Sequence, residues 1–281
     1  MQKRTFCNPG ICGILLPASR DSAKNACRKG DHTMGYLRIT EQNIDVEHIC
    51  CAMSNNQSVR KKEWLKARFH EGLVFYRSEE RGKCFIEYIP AENAWHPLEA
   101  EGYMHINCLW VSGSLKGHGY STDLLNECIR DSKAQGRKGL SILSSEKKKG
   151  FLADPKYLRY KGFQVADKSD TGIQLWYLPF EAGEEAPRFK ECAKHPQVTD
   201  SGFVIYYSDQ CPYTYYWVPR LTEAADAYGI PLKVIHIDSR EKAQNAPSPV
   251  TNFSLFRDGK FLSHEIQSEK KFLALAGITV P

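Results

Sequence analysis

Leu109-Trp110-Val111-Ser112-Gly113-Ser114-Leu115-Lys116-Gly117-His118-Gly119-Tyr120-Ser121 is the stretch on which the fold turns. It begins as an apolar strand, passes two glycines spaced by one residue, and opens a helix over 117–134. In that helix Tyr120, Leu124, Leu125, Cys128 and Ile129 recur on one face. A strand-to-helix turn of this kind points backbone N–H groups at the positive end of the helix dipole, an arrangement that favours an anionic phosphate. Gly117 and Gly119 let the backbone approach closely without a Cβ, and Lys116 adds a positive charge. The pattern lacks the third glycine of a dinucleotide fingerprint and the Gly-Lys-Ser/Thr of a Walker loop. Taken alone, it is equally a helix that merely starts with glycines.

Working outward, Gly35 to Thr40 reads as a first strand, followed by helical stretches at 44–53 and 59–69. Strands follow at 73–76, 84–89 and 104–111, then the phosphate loop and its helix, then a short buried strand at 140–143. A short helix carrying Tyr157, Leu158 and Tyr160 leads through Gly162-Phe163 to strands at 163–166 and 173–178. Residues 181–201, with Gly183, Pro187 and Pro196 and little periodicity, read as a linker. A second unit starts with the strand Phe203-Val204-Ile205-Tyr206-Tyr207. Its helix opens at Cys211-Pro212-Tyr213-Thr214, and a strand at 232–237, a short polar helix, a hairpin around Arg257-Asp258-Gly259-Lys260 and a helix capped by Ser268 complete it. No internal repeat is visible.

Composition narrows the function. The chain has 281 residues, 42% hydrophobic and 25% charged, which excludes a wholly disordered or collagen-like chain. No apolar run approaches the ~20 residues of a membrane-spanning helix. The net charge is +5, but +4 of it lies in residues 1–33, leaving +1 for the rest. A near-neutral body argues against a nucleic-acid backbone binder. Residues 1–33 show no sustained period and are expected to be a disordered tail, or to precede a start at Met34. Pro9, Gly10 and Gly13 break the apolar stretch that a signal peptide needs. The ten cysteines form no Cys-x-x-Cys and no paired zinc spacing, so no metal is expected. They fit buried thiols in a reducing cytoplasm.

The order strand, loop, long helix, strand, short helix with Tyr-x-x-Tyr-x-Gly-Phe, and two strands resembles the GNAT acyl-CoA N-acyltransferases over about residues 35–180. That resemblance implies an α/β (α+β) fold with a mixed central sheet and acetyl-CoA as co-substrate. The family's Arg/Gln-x-x-Gly-x-Gly/Ala motif falls on Lys116-Gly117-His118-Gly119-Tyr120-Ser121, with Lys116 and Ser121 departing from it. The resemblance implies that Lys116, Gly117, His118, Gly119, Tyr120 and Ser121 hold the pyrophosphate. It implies too that the strand from Asn107 through Leu109, Trp110 and Val111 splays from its neighbour and pairs with the pantetheine arm. A Tyr that protonates the leaving thiolate would be Tyr157, although the usual slot falls on Leu158.

Acyl transfer needs a base for the amine. Glu87, inside an apolar strand where burial would raise its pKa, and His105, on the strand leading to the loop, are the candidates. Glu79, Glu80, Glu87, Glu92, Glu99 and Glu101 would draw a cationic acceptor if they lined one cleft.

The second unit resembles the thioredoxin and glutaredoxin fold, with Pro219 at the helix-kink position. Thr214 takes the place of a resolving cysteine, so Cys211 would act as a single thiol with a lowered pKa at a helix N-terminus. The whole order resembles GNAT acetyltransferases with a YoaP-like C-terminal domain. The expectation is an acetyltransferase domain at 34–180, a linker at 181–201 and a thioredoxin-like domain at 202–281. The expected acceptor is a small-molecule or peptide amine, without nucleic-acid or membrane partners. The alternatives are a monothiol redox or thiol-transfer protein centred on Cys211 and a non-catalytic acyl-CoA sensor. Nothing in the sequence fixes an oligomeric state.

Overall fold

The computed structural model describes residues 35–49, 51, 55–80 and 82–279, with backbone alone at 55–57. The elements run β1 (Tyr36–Ile39), α1 (Asn55–Phe69), β2 (Val74–Ser78), β3 (Cys84–Pro90), β4 (Leu98–Glu99) and β5 (Tyr103–Val111). They continue with α2 (Tyr120–Ala134), β6 (Gly139–Ser145), α3 (Pro155–Tyr160), β7 (Gln164–Lys168), β8 (Ile173–Pro179), β9 (Arg188–Phe189) and α4 (Glu191–Lys194). The second unit holds β10 (Phe203–Tyr207), α5 (Pro212–Ala227), β11 (Leu232–His236), α6 (Arg240–Gln244), β12 (Phe253–Arg257), β13 (Lys260–Ser263) and α7 (Glu269–Leu275). The expectations for the tail, and part of the helix expected at 44–53, fall outside the described residues. No helix among the described residues is long and apolar enough to cross a membrane.

Among the described residues one sheet has seven strands in the order β1-β2-β3-β5-β6-β8-β7. Every neighbouring pair is antiparallel except β5 and β6, which are parallel and are joined over α2, since parallel neighbours need a crossover. The parallel pairing stops early. It matches Tyr103–Ile106 with Gly139–Ile142, while β5 runs on to Val111 beside β3 and β6 runs on to Ser145 beside β8. The two strands therefore part at Asn107. That residue is also the extra one in a bulge, since Glu87 pairs with Cys108 and Tyr88 with Ile106.

The faces of this sheet bury different partners. Ile86, Tyr88, Met104, Ile106, Leu140, Ile142 and Trp176 pack with Leu124, Leu125 and Cys128 of α2. The opposite face carries Phe85, Ile89, Cys108 and Trp110 against Trp64 and Leu65 of α1, and against Tyr206, Ile237, Ala243 and Ala246 of the second unit. The second unit thus shares a core with α1 and this sheet face. Its own sheet has the order β11-β10-β12-β13, with β10 and β11 parallel across α5 and the rest antiparallel.

Three expectations about elements are corrected. Residues 41–46 form turns rather than the start of a helix. The Asn43 side chain accepts from the Thr40 N–H at 2.8 Å and donates to the Arg38 carbonyl at 2.9 Å, a local alternative to helical pairing. The long helix begins at Tyr120, not Gly117, because Gly117 (φ 84°) and Gly119 (φ 87°) are left-handed. Residues 181–201 are more than a bare linker. They contain β9, which pairs with β4, and α4, and they bury Phe189 and Ala193 beside Leu98, Tyr103 and Leu175.

Candidate active site

The loop between β5 and α2 is built from its glycines. A single turn at Gly113–Leu115 buries Leu115, and the Lys116 amide donates back to the Gly113 carbonyl at 3.3 Å. Positive φ at Gly117 and Gly119 then swings the chain into α2. A Cβ at either position would meet nothing within 4 Å, so conformation rather than crowding selects glycine there. The Gly119 carbonyl accepts from the Thr122 and Asp123 amides at 2.7 and 3.2 Å, but no side chain caps the helix. No hydrogen bond within the fold takes up the backbone N–H groups of Gly117, His118, Gly119, Tyr120 or Ser121 among the described residues. Five donors at the positive end of a fifteen-residue helix are thus free for an anion. Lys116 and His118 are exposed on the loop, and the His118 ring stacks on Tyr120 at 5.6 Å.

Tyr157 of α3 reaches this loop. Its hydroxyl donates to the Ser121 carbonyl at 2.8 Å, so its proton is committed to the first turn of α2. Burial raises its pKa. Leu158, the alternative slot, is buried in the core. Beside the loop, Asn107 to Val111 present a half-buried strand edge left unpaired on the β6 side. Leu109 and Val111 point to the α2 core and Trp110 to the opposite face.

At the point where β5 and β6 part, Glu87 is buried, but not as a lone carboxylate in an apolar strand. The Lys61 ammonium of α1, itself buried, sits 2.6 Å from its Oε2, and the Asn107 amide donates to Oε1 at 2.9 Å. Were Glu87 to accept an amine's proton, the buried Lys61 ammonium would lose its counter-charge. Lys61 also lies 4.3 Å over the Trp64 ring. Sequence reasoning does not reach Lys61, and it places Asn107 only as the first residue of the splayed strand, not as a partner of Glu87. The signals were the spacing of Lys61 to Trp64 and Leu65 on one helix face, and a polar Asn107 inside an apolar strand.

His105 lies on the face shared with Ile89, fully buried. Its Nδ1 is 3.0 Å from Ser141 Oγ, its Nε2 has no partner, and its ring is 5.0 Å from that of His96. Burial and the neighbouring His96 hold its pKa well below the ordinary value, so it is neutral at pH 7. His96 is also buried, with Nδ1 facing the Pro249 carbonyl at 3.1 Å and Thr251 Oγ1 at 3.2 Å. Gln210 continues this seam by donating to Thr251 Oγ1 at 3.0 Å.

Cys211 enters the same region at the start of α5, close enough to Lys61 and Glu87 for both to act on its ionisation. Burial outweighs the helix N-terminus and pushes its thiol up to about 11, the opposite of the lowered pKa expected. Thr214, in the place of a second cysteine, has its one hydroxyl proton within reach of both the Ser208 carbonyl at 2.9 Å and the Cys211 carbonyl at 2.6 Å.

The acidic cleft also fails to form. Glu87 pairs with Lys61, Glu92 with Arg137 and Glu99 with Arg188, at separate places, while Glu79, Glu80 and Glu101 are exposed. No group of three or more His, Cys, Asp or Glu side chains that would hold a metal ion occurs among the described residues.

Comparison with known proteins adds four findings. Residues 231–273 match the YoaP-like family. The chain is 42% identical over 243 residues to the uncharacterized N-acetyltransferase YoaP of Bacillus subtilis, covering 85% of this chain and 97% of that protein. Among solved structures it is similar to a GNAT family acetyltransferase from Brucella melitensis in complex with acetyl-CoA, at 19% identity, TM-score 0.36, over 57% of this chain and 94% of that one. A ribosomal-protein-alanine N-acetyltransferase from Brucella melitensis is similar at 15% identity, TM-score 0.39, over 52% of this chain and all (100%) of that one.

Proposed function

We propose, since the chain belongs to the YoaP family of N-acetyltransferases, that it moves an acetyl group from acetyl-CoA to an amine. The observation that carries this is the row of unclaimed N–H groups at 117–121 beside a strand edge left unpaired from Asn107 to Val111. The donors fit a pyrophosphate and the free edge fits an amide-bearing arm. Acetyl-CoA, when bound, supplies an activated acyl group as a thioester.

The residues of the chain divide the remaining work. Gly117, His118, Gly119, Tyr120 and Ser121 hold the phosphates through their amides, and Lys116 adds charge at the rim. Tyr157 props the loop by its bond to Ser121. Glu87, clamped between Lys61 and Asn107, fixes the bulge at which the strands part, and is a positioning residue. We assign the amine's proton to His105, whose full burial means the proton reaches it by relay from the open strand edge at Asn107 and whose lowered pKa makes it a weak base. In the tautomer that donates Nδ1–H to Ser141, its Nε2 is a bare acceptor with no competing partner.

The second unit we read as thioredoxin-like. Its order of strand, helix, strand, helix, hairpin and helix supports that reading. With a high thiol pKa and Thr214 opposite, Cys211 is a wall residue rather than a redox centre. Residues 34–180 are the acetyltransferase part and 202–281 shape its acceptor side.

Release of coenzyme A during incubation with acetyl-CoA and a panel of amines tests the assignment. The wild type is expected to turn over at least one amine, His105→Gln to lose most of kcat, and Glu87→Gln to retain substantial turnover. A Glu87→Gln variant as inactive as His105→Gln, with acetyl-CoA still bound, would return the base role to Glu87.

A further inference from the structure

Lys83, in the turn before β3, is held by residues of both units. Its ammonium donates to the Tyr213 hydroxyl at 3.1 Å and lies 4.5 Å over the Trp110 ring and 5.8 Å over the Tyr213 ring. It is half-buried, and among the described residues it takes part in no ion pair. Phe151 closes the same corner, edge-on to Tyr213 at 6.2 Å. Phe151 is half exposed in spite of its size and holds a left-handed backbone (φ 60°) that a bulky residue rarely adopts. Its loop is tied to the second unit. The Gly150 amide donates to Glu265 at 3.0 Å, and His264 Nε2 faces the Gly150 carbonyl at 3.0 Å. On that loop Lys148 pairs with Asp154, while Lys147 and Lys149 are exposed and in no ion pair among the described residues.

Aromatic faces such as those of Trp110 and Tyr213 would ordinarily attract a cationic amine. Here Lys83 already covers both, so this corner repels a second cation, and among the described residues Lys83 pairs with no carboxylate. The strand register puts Trp110 on the same sheet face as Cys108 and Glu87, three residues along β5 from Asn107, where β5 and β6 part.

We propose that the acceptor amine also carries a carboxylate, and that Lys83, caged by Trp110 and Tyr213, binds it. This rests on the acetyl-CoA reading above, with the amine delivered near Asn107. Trp110 stands three residues along β5 from Asn107, about 10 Å at strand rise. The amine and carboxylate are therefore about a tripeptide's length apart. A charge-assisted contact in a half-buried, aromatic-walled corner sets the preference for the carboxylate. The second unit then determines acceptor choice, since Tyr213 belongs to it.

The test compares kcat/KM for triglycine and for triglycine amide in the wild type, Lys83→Met and Lys83→Arg, with calorimetry of acetyl-CoA on each. Triglycine is expected to be favoured at least tenfold by the wild type and by Lys83→Arg, which keeps the charge. In Lys83→Met the two peptides come within about twofold while acetyl-CoA affinity is unchanged. Equal use of both peptides by the wild type, a preference that survives in Lys83→Met, or acetylation of neither peptide by a protein that binds acetyl-CoA overturns the proposal. A wild type that binds no acetyl-CoA instead removes the parent reading, and this one with it, which the calorimetry identifies separately.

Discussion

Replacing Lys61 by methionine probes the junction beneath the site. Lys61 and Glu87 are 1% and 2% exposed, 2.6 Å apart, so each depends on the other for compensation of a charge held out of water. Removing one partner of such a pair typically costs about 3–5 kcal/mol, because the remaining charge stays buried. In Lys61→Met the Asn107 amide still donates to Glu87 Oε1 at 2.9 Å, which places the loss toward the lower part of that range. At roughly 2–4 °C per kcal/mol for a chain of this size, the melting temperature falls by about 10 °C. Glu87→Gln, which strands Lys61 instead, costs a similar amount. The double variant Lys61→Met/Glu87→Gln is neutral at both positions and keeps an oxygen for Asn107, so it recovers all but about 1–2 kcal/mol. Urea unfolding of the four proteins at pH 7.5 gives the coupling energy, expected to be at least about 2 kcal/mol. Strictly additive costs, with coupling below about 0.5 kcal/mol, would refute the reasoning, since two groups in contact in a dry interior cannot act independently.

Two further outcomes follow from the same interior. Burial lowers the pKa of His96 to about 4 from 6.5, so the unfolded chain binds this proton more readily than the folded one. Its contribution is complete above pH 6.5 and is lost as pH falls toward 4, by about 3 kcal/mol at 1.36 kcal/mol per pH unit; urea midpoints at pH 7.5 and 4.5 should show a steeper fall in the wild type than in His96→Gln, and equal falls would show that His96 is not buried neutral. Cys211, its thiol pushed up to about 11, should be alkylated by iodoacetamide at pH 7 more slowly than the exposed Cys192, as read by peptide mass mapping; faster labelling of Cys211 would mark it as an activated thiol.

The loop and the strand that leads to it were legible because their signals are local. Glycines that require positive φ, and an apolar face at helical spacing, need only a dozen residues of context. The termination of strand pairing at Ile106 agreed with the expected splay of Asn107–Val111. What failed were properties decided by distant partners. Lys61 sits on a helix of low overall hydrophobicity, and only Glu87, 26 residues away, explains its burial. Residues 181–201 have too few apolar positions to announce β9, which exists because Leu98 and Glu99 offer it an edge. Cys211 looked activated because a helix N-terminus is visible in sequence, whereas the packing of the second unit around it is not. The acidic residues of 79–101 looked like a cleft because proximity in sequence was read as proximity in space. The Lys83 corner joins residues 130 positions apart, and no window of sequence contains it.

The most direct test of the account is calorimetric titration of the purified chain with acetyl-CoA, run beside Gly119→Ala and Gly119→Glu. Both variants carry the same cost of a left-handed non-glycine residue, and the Cβ itself meets nothing within 4 Å. Only the glutamate places a bulky negative charge among the donors of 117–121. Binding by the wild type, weakened binding by Gly119→Ala and none by Gly119→Glu, with both variants equally stable to heat, is the predicted result. Undiminished binding by Gly119→Glu, or no binding by the wild type, would contradict the claim that this loop holds the coenzyme.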